Sequence, residues 1–81
     1  MKLPKHTPLT YEAACALEKG DKVICLDTGI FSDEPFNLHV GDVYETVEYF
    51  ADGGGWKINT SPERFSLCQE DCHLFAKYEE A

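Results

Sequence analysis

Between Leu38 and Phe75 the chain reads as a succession of short strands around one glycine-rich turn, and this run limits the fold most. Leu38-His39-Val40-Gly41-Asp42 is a turn into a strand over Val43–Phe50. Asp52-Gly53-Gly54-Gly55 then supplies the positive φ angles that a hairpin needs. The next strand, 56–60, alternates, with Trp56, Ile58 and Thr60 on one face and Lys57 and Asn59 on the other. Ser61-Pro62-Glu63 is a turn, Arg64 to Leu67 a fourth strand with Phe65 and Leu67 inward, and Gln69-Glu70-Asp71 a single helical turn. Cys72 to Tyr78 closes the series. Such a grammar predicts a mainly β fold, a five-stranded small barrel.

The remainder fits one domain over residues 1–81. Pro4 and Pro8 mark residues 1–9 as a leader hostile to helix or central strand. Thr10 is an N-cap, and the helix formers of 11–19 predict one short N-terminal α-helix over 10–19, with Gly20 left-handed behind it. Nine residues do not hold a helix alone, so Ala13, Ala14 and Leu17 are its expected contact stripe. The barrel occupies 21–78: a first strand over 21–27, built on Val23-Ile24-Cys25-Leu26, and a long irregular loop over 28–39. A chain this short buries only about 60–65% of its unfolded surface and leaves little room for a deep cleft.

Charge is unevenly spread. The net charge is −8, yet residues 23–56 contain no Lys or Arg and carry Asp27, Asp33, Glu34, Asp42, Glu45, Glu48 and Asp52, a segment charge of −7. Nucleic-acid binding needs a basic footprint, so this pattern argues against direct contact with DNA or RNA. The same field repels anionic membranes and attracts basic protein surfaces. No window approaches 18 apolar residues, and Lys2 and Lys5 have no apolar run behind them. The expectation is a cytoplasmic protein without a membrane span or secretory leader.

The order of elements resembles the Src-homology-3 (SH3) barrel over roughly residues 22–75. Val23-Ile24-Cys25-Leu26-Asp27 stands where that family has its first strand, and Asp33-Glu34 falls in the loop that is acidic there. Leu38 to Asp42 is similar to its diverging turn, without the phenylalanine. Trp56 sits where its binding tryptophan opens the third strand, and Leu67 to Cys72 replaces its turn before the last strand. The resemblance implies an SH3-like five-stranded barrel. Of the groove that docks proline-rich peptides the chain keeps Trp56 and the acidic loop. Cys68 and Asp71 stand where the groove's proline and tyrosine would be.

The sharpest chemical cluster is Cys68-x-x-x-Cys72-His73, since thiolates and imidazole bind zinc tetrahedrally. Closing a site needs Cys25 or His39, and neither belongs to a second local pair; the bland alternative packs Cys68 and Cys72 as small apolar groups. In a reducing compartment all four cysteines, Cys15, Cys25, Cys68 and Cys72, are expected as free thiols. Cysteine catalysis requires an electropositive setting, and paired carboxylates require a cleft that separates their pKa values. Neither is present in the sequence, so no enzyme and no cofactor is expected. The glycines of 53–55 precede no helix and form no phosphate loop.

Aromatic residues interleave with the acids. Strict alternation along 43–50 puts Val43, Glu45, Val47 and Tyr49 on one face and Tyr44, Thr46, Glu48 and Phe50 on the other. Both faces are mixed, which predicts an exposed aromatic ringed by acids. The expected partner-binding residues are Asp33, Glu34, Glu45, Glu48, Tyr49, Asp52 and Trp56. The function expected is that of a small acidic protein-binding module. It would be an inhibitor or adaptor of the phage or anti-defence type, engaging the basic surface of a partner such as a nucleic-acid-binding enzyme. The alternative is a zinc-stabilised interaction module using Cys68, Cys72, His73 and Cys25.

Overall fold

The computed structural model describes residues 7–51 and 55–78. One short helix, α1 (Tyr11–Cys15), precedes five strands: β1 (Lys22–Cys25), β2 (Val43–Phe50), β3 (Gly55–Ile58), β4 (Phe65–Ser66) and β5 (Phe75–Tyr78). A single 3₁₀ turn, Cys72–Leu74, leads into β5. All pairings are antiparallel, and the strand order β4-β3-β2-β1-β5 makes one curled sheet, a half-barrel. Ahead of α1, Leu9 N–H donates to the Phe75 carbonyl at 2.8 Å.

The helix is shorter than its sequence predicts. Thr10 caps it as expected, its Oγ1 accepting from Ala13 N–H at 3.1 Å. Past α1 the backbone is held by tertiary and turn bonds. The Trp56 indole N–H donates to the Leu17 carbonyl at 2.7 Å, and the Thr46 hydroxyl to the Glu18 carbonyl at 2.7 Å. The Asp21 carboxylate accepts Glu18 N–H. Of the expected stripe, Ala14 and Leu17 are buried and Ala13 is exposed. Gly20 is left-handed, with φ +93°, but it serves the entry to β1 by donating its N–H to the Thr46 carbonyl.

The second strand occupies its predicted span, but its faces differ from simple alternation. Thr46 pairs with Ile58 and Glu48 with Lys57, so a bulge at Val47 shifts the register. A bulge places one extra residue between two side chains and returns both to the same face. Tyr44 and Thr46 therefore face inward together with Tyr49, while Glu45, Glu48 and Phe50 face outward. Tyr44 packs against the core, Thr46 is fully buried, and Tyr49 stacks on Trp56 with ring centroids 5.2 Å apart.

The other strands are shorter than expected because turns claim their ends. The 3₁₀ turn takes Cys72 to Leu74 out of the last strand, and the turn expected over 69–71 runs directly into it. Phe65 and Leu67 point inward as expected. The core gathers Val23, Cys25, Leu38, Ile58, Phe65, Leu67, Leu74 and Phe75, with Leu9, Ala14, Leu17 and Cys72 sealing one end. The loop over 28–39 is irregular yet anchored: Leu38 is fully buried, and Phe31 and Phe36 meet Phe65 edge-on at 4.9 and 5.1 Å.

Candidate partner-binding face

The long loop folds back on itself. Leu38 N–H reaches the Phe31 carbonyl at 3.0 Å, and Asn37, at φ +53°, turns its N–H to the Asp33 carbonyl. Its tip is then pinned to the β3–β4 connection, since Asn37 Nδ2 donates to the Ser61 carbonyl at 2.9 Å and Glu63 N–H to the Pro35 carbonyl at 3.2 Å. Asp33 and Glu34 are exposed at that tip.

The same connection borders the outer face of β2. Glu45 and Asn59 exchange bonds, Glu45 N–H to Asn59 Oδ1 at 3.0 Å and Asn59 N–H to the Glu45 carbonyl at 3.1 Å. Arg64 Nη1 holds Glu48 Oε1 at 3.2 Å. The segment 59–64 thus touches the loop through Ser61 and Glu63 and β2 through Asn59 and Arg64. An open pocket of about 350 Å³ lies beside Glu45, lined also by Lys22, Val43, Tyr44, Asn59 and Tyr78.

Two features of the expected site are altered by folding. The stretch of sequence free of bases is not free of them in space. Lys22 stands opposite Glu45, Lys57 opposite Glu48, and Arg64 bridges to Glu48. The acids left without a described ion partner include Asp33 and Glu34. Trp56 is also not an open anchor. It is half-buried against the core, its indole N–H is committed to Leu17, and it lies on the opposite face of the hairpin from Glu48. Tyr49 shares the Trp56 side and is 45% exposed. Asp52 lies outside the described residues.

Exposed apolar side chains also occur outside the expected site residues. Ile30 is 89% exposed, three residues before Asp33, and Val40 is 56% exposed on the returning limb of the same loop. Phe50 is capped by Lys57, whose Nζ lies 4.7 Å from the ring centroid, an attraction between a cation and an aromatic face. Pairing of Phe50 with Gly55 sets Lys57 diagonally across from Phe50, a register that appears only in the folded sheet.

The zinc alternative named Cys68, Cys72, His73 and Cys25. Among the described residues no three His, Cys, Asp or Glu side chains are placed to hold a metal ion. Each thiol of that set instead finds an oxygen: Cys25 the Asp27 carbonyl at 3.3 Å, Cys68 the Asp71 carboxylate at 3.4 Å and Cys72 the Leu9 carbonyl at 3.6 Å. His73 and His39 are exposed. Burial pushes the Cys25 thiol up to about 11, with Asp27 and Asp42 as its charged neighbours. Burial likewise raises Tyr44 and Cys72.

Compared with protein-family models, curated proteins and solved structures, the chain matches none.

Proposed function

We propose that this chain is an SH3-like domain that acts as a small acidic, non-enzymatic protein-binding module, an inhibitor or adaptor engaging a basic surface of a partner protein. The fold part of this reading is supported by the strand order β4-β3-β2-β1-β5, the long loop between β1 and β2, and the 3₁₀ turn before β5. Among the described residues no helix is long and apolar enough to cross a membrane.

The observation that carries the functional part is the acidic loop. Asp33 and Glu34 are exposed at a tip that Phe31, Phe36, Leu38 and the Asn37–Ser61 bond hold in one position. Little conformational freedom remains for a partner to remove on binding. Ile30, three residues before Asp33 in the chain, is exposed on the same loop. An exposed apolar side chain on an acidic loop suits a partner that presents apolar groups together with Lys or Arg. The partner class that fits is a protein whose surface ordinarily meets phosphate, such as a nucleic-acid-binding enzyme.

Affinity capture tests the reading. The wild-type chain and an Asp33→Asn/Glu34→Gln chain are immobilised side by side, and retained proteins are compared by quantitative mass spectrometry over a salt series. A basic protein held by the wild type, depleted at least about tenfold on the variant and released as salt rises, is the expected result. Identical retention on both chains would remove the loop from the interface.

A further inference from the structure

Among the described residues two polar side chains are buried, Thr46 and Thr60. Thr46 holds the segment behind α1 through the Glu18 and Asp21 carbonyls. Thr60 stands just past β3, and its hydroxyl is used twice. It donates to the Glu63 carbonyl at 2.5 Å and accepts the buried Phe65 N–H at 2.7 Å. A hydroxyl can do both at once, having one donor and two lone pairs. Together the two bonds close the turn over 61–64 and deliver the chain into β4.

That closed turn bears on the acidic loop from two directions. On one side, Glu63 N–H donates to the Pro35 carbonyl at 3.2 Å, and the Ser61 carbonyl accepts from Asn37 Nδ2 at 2.9 Å. Glu63 thus presents its N–H to the loop and its carbonyl to Thr60. On the other side, Phe65 is the ring that Phe31 and Phe36 meet edge-on, at 4.9 and 5.1 Å. Asp33 and Glu34 lie between Phe31 and Phe36 in the chain. The backbone bonds and the aromatic contacts that hold the loop tip therefore share the Thr60 hydroxyl as a common support.

We propose that Thr60 is a positioning residue for the acidic loop: its hydroxyl fixes the 61–64 turn and the start of β4, and these fix the tip that carries Asp33 and Glu34. The inference rests on the reading of that tip as the partner contact. Without the hydroxyl, the Phe65 N–H is buried without its acceptor and the Glu63 carbonyl loses its donor. Turn and ring then loosen together, and the loop opens more often. None of these bonds belongs to the pairing of β1 with β5, which keeps its own ladder.

Amide hydrogen exchange on the full-length chain, read residue by residue by NMR, tests the proposal. It needs no partner, so a failed capture of a basic protein and a failure here are separate results. In Thr60→Val, exchange at Asn37, Leu38 and Glu63 should rise at least about tenfold more than at Cys25 and Leu26, whose N–H groups bond to the Asp42 and Leu74 carbonyls. Thr60→Ser keeps the hydroxyl and should keep the wild-type ratio of loop to sheet exchange. Equal rises in loop and sheet, unchanged loop exchange, or a serine variant that behaves as the valine variant would each overturn it. If Thr60→Val does not fold, Asn37→Gly decides. It suits the left-handed backbone at φ +53° and removes the bond to Ser61. Glu63 N–H, on the other segment, should then exchange at least about tenfold faster, and an unchanged rate there would overturn the link from turn to loop.

Discussion

Trp56 provides the most direct test of how the helix segment is held. Three contributions can be worked from the structure. Half-burial removes about 100 Å² of the indole from water, which at about 25 cal/mol per Å² is about 2.5 kcal/mol. The N–H bond to the Leu17 carbonyl, 2.7 Å long, contributes about 1 kcal/mol net. The ring pair with Tyr49 adds about 0.5–1.5 kcal/mol. Trp56→Ala therefore loses about 4–5 kcal/mol. A domain of 81 residues has about 4–12 kcal/mol in all, so this variant sits at or near the edge of unfolding. Trp56→Phe is the sharper perturbation, because it keeps an aromatic ring beside Tyr49 and removes the donor. It should cost about 1–2 kcal/mol, seen as a Tm about 5–15 °C lower in a thermal melt followed by circular dichroism. A Trp56→Phe protein that melts with the wild type would refute the claim that this bond fixes residues 17–18. A stable Trp56→Ala protein would show that the indole is not part of the packing.

Other outcomes follow from the same contacts. Thr46→Val removes the buried hydroxyl that holds the Glu18 carbonyl and should lower stability by about 1–2 kcal/mol in urea titration; an unchanged midpoint would contradict that role. Gly55→Ala forces a Cβ onto a residue at φ +67° and against the Leu67 carbonyl, so a loss of more than about 1 kcal/mol is expected, whereas a neutral change would show that the hairpin entry is relaxed. The Cys25 thiol is raised from 9.0 to about 11 by burial, so the folded chain holds this proton more tightly than the unfolded one. Its stabilising contribution is complete below pH 9 and is lost as pH rises towards 11. Urea midpoints measured across that range should fall, and fall less steeply in Cys25→Ala; parallel slopes would place the thiol in contact with solvent.

How much of this was legible depended on whether local chemistry or distant partners decided each element. The span of β2, the Thr10 cap and the left-handed Gly20 follow from local preferences, and all three are found. The end of α1 did not: the chain leaves the helix after Cys15, and the carbonyls of Leu17 and Glu18 are held by Trp56 and Thr46, partners 39 and 28 residues away that no local preference reveals. Nor did the faces of β2, since a bulge leaves no mark in a pattern read at period two. The acidic segment was read along the chain, where no base interrupts it. The sheet sets Lys22 and Lys57 opposite Glu45 and Glu48 and bridges Arg64 to Glu48, whereas Asp33 and Glu34 stay exposed in the loop.

Association kinetics with the captured basic partner, measured at low and at physiological salt, bear most directly on the proposed function. Screening shortens to about 8 Å at physiological ionic strength, so the wild-type on-rate should fall steeply as salt is added. Asp33→Asn/Glu34→Gln should start from a slower on-rate with a flatter salt dependence, and with the thermal stability of the wild type, because both side chains are exposed. Equal on-rates and equal salt slopes for the two proteins would contradict recognition through the acidic loop.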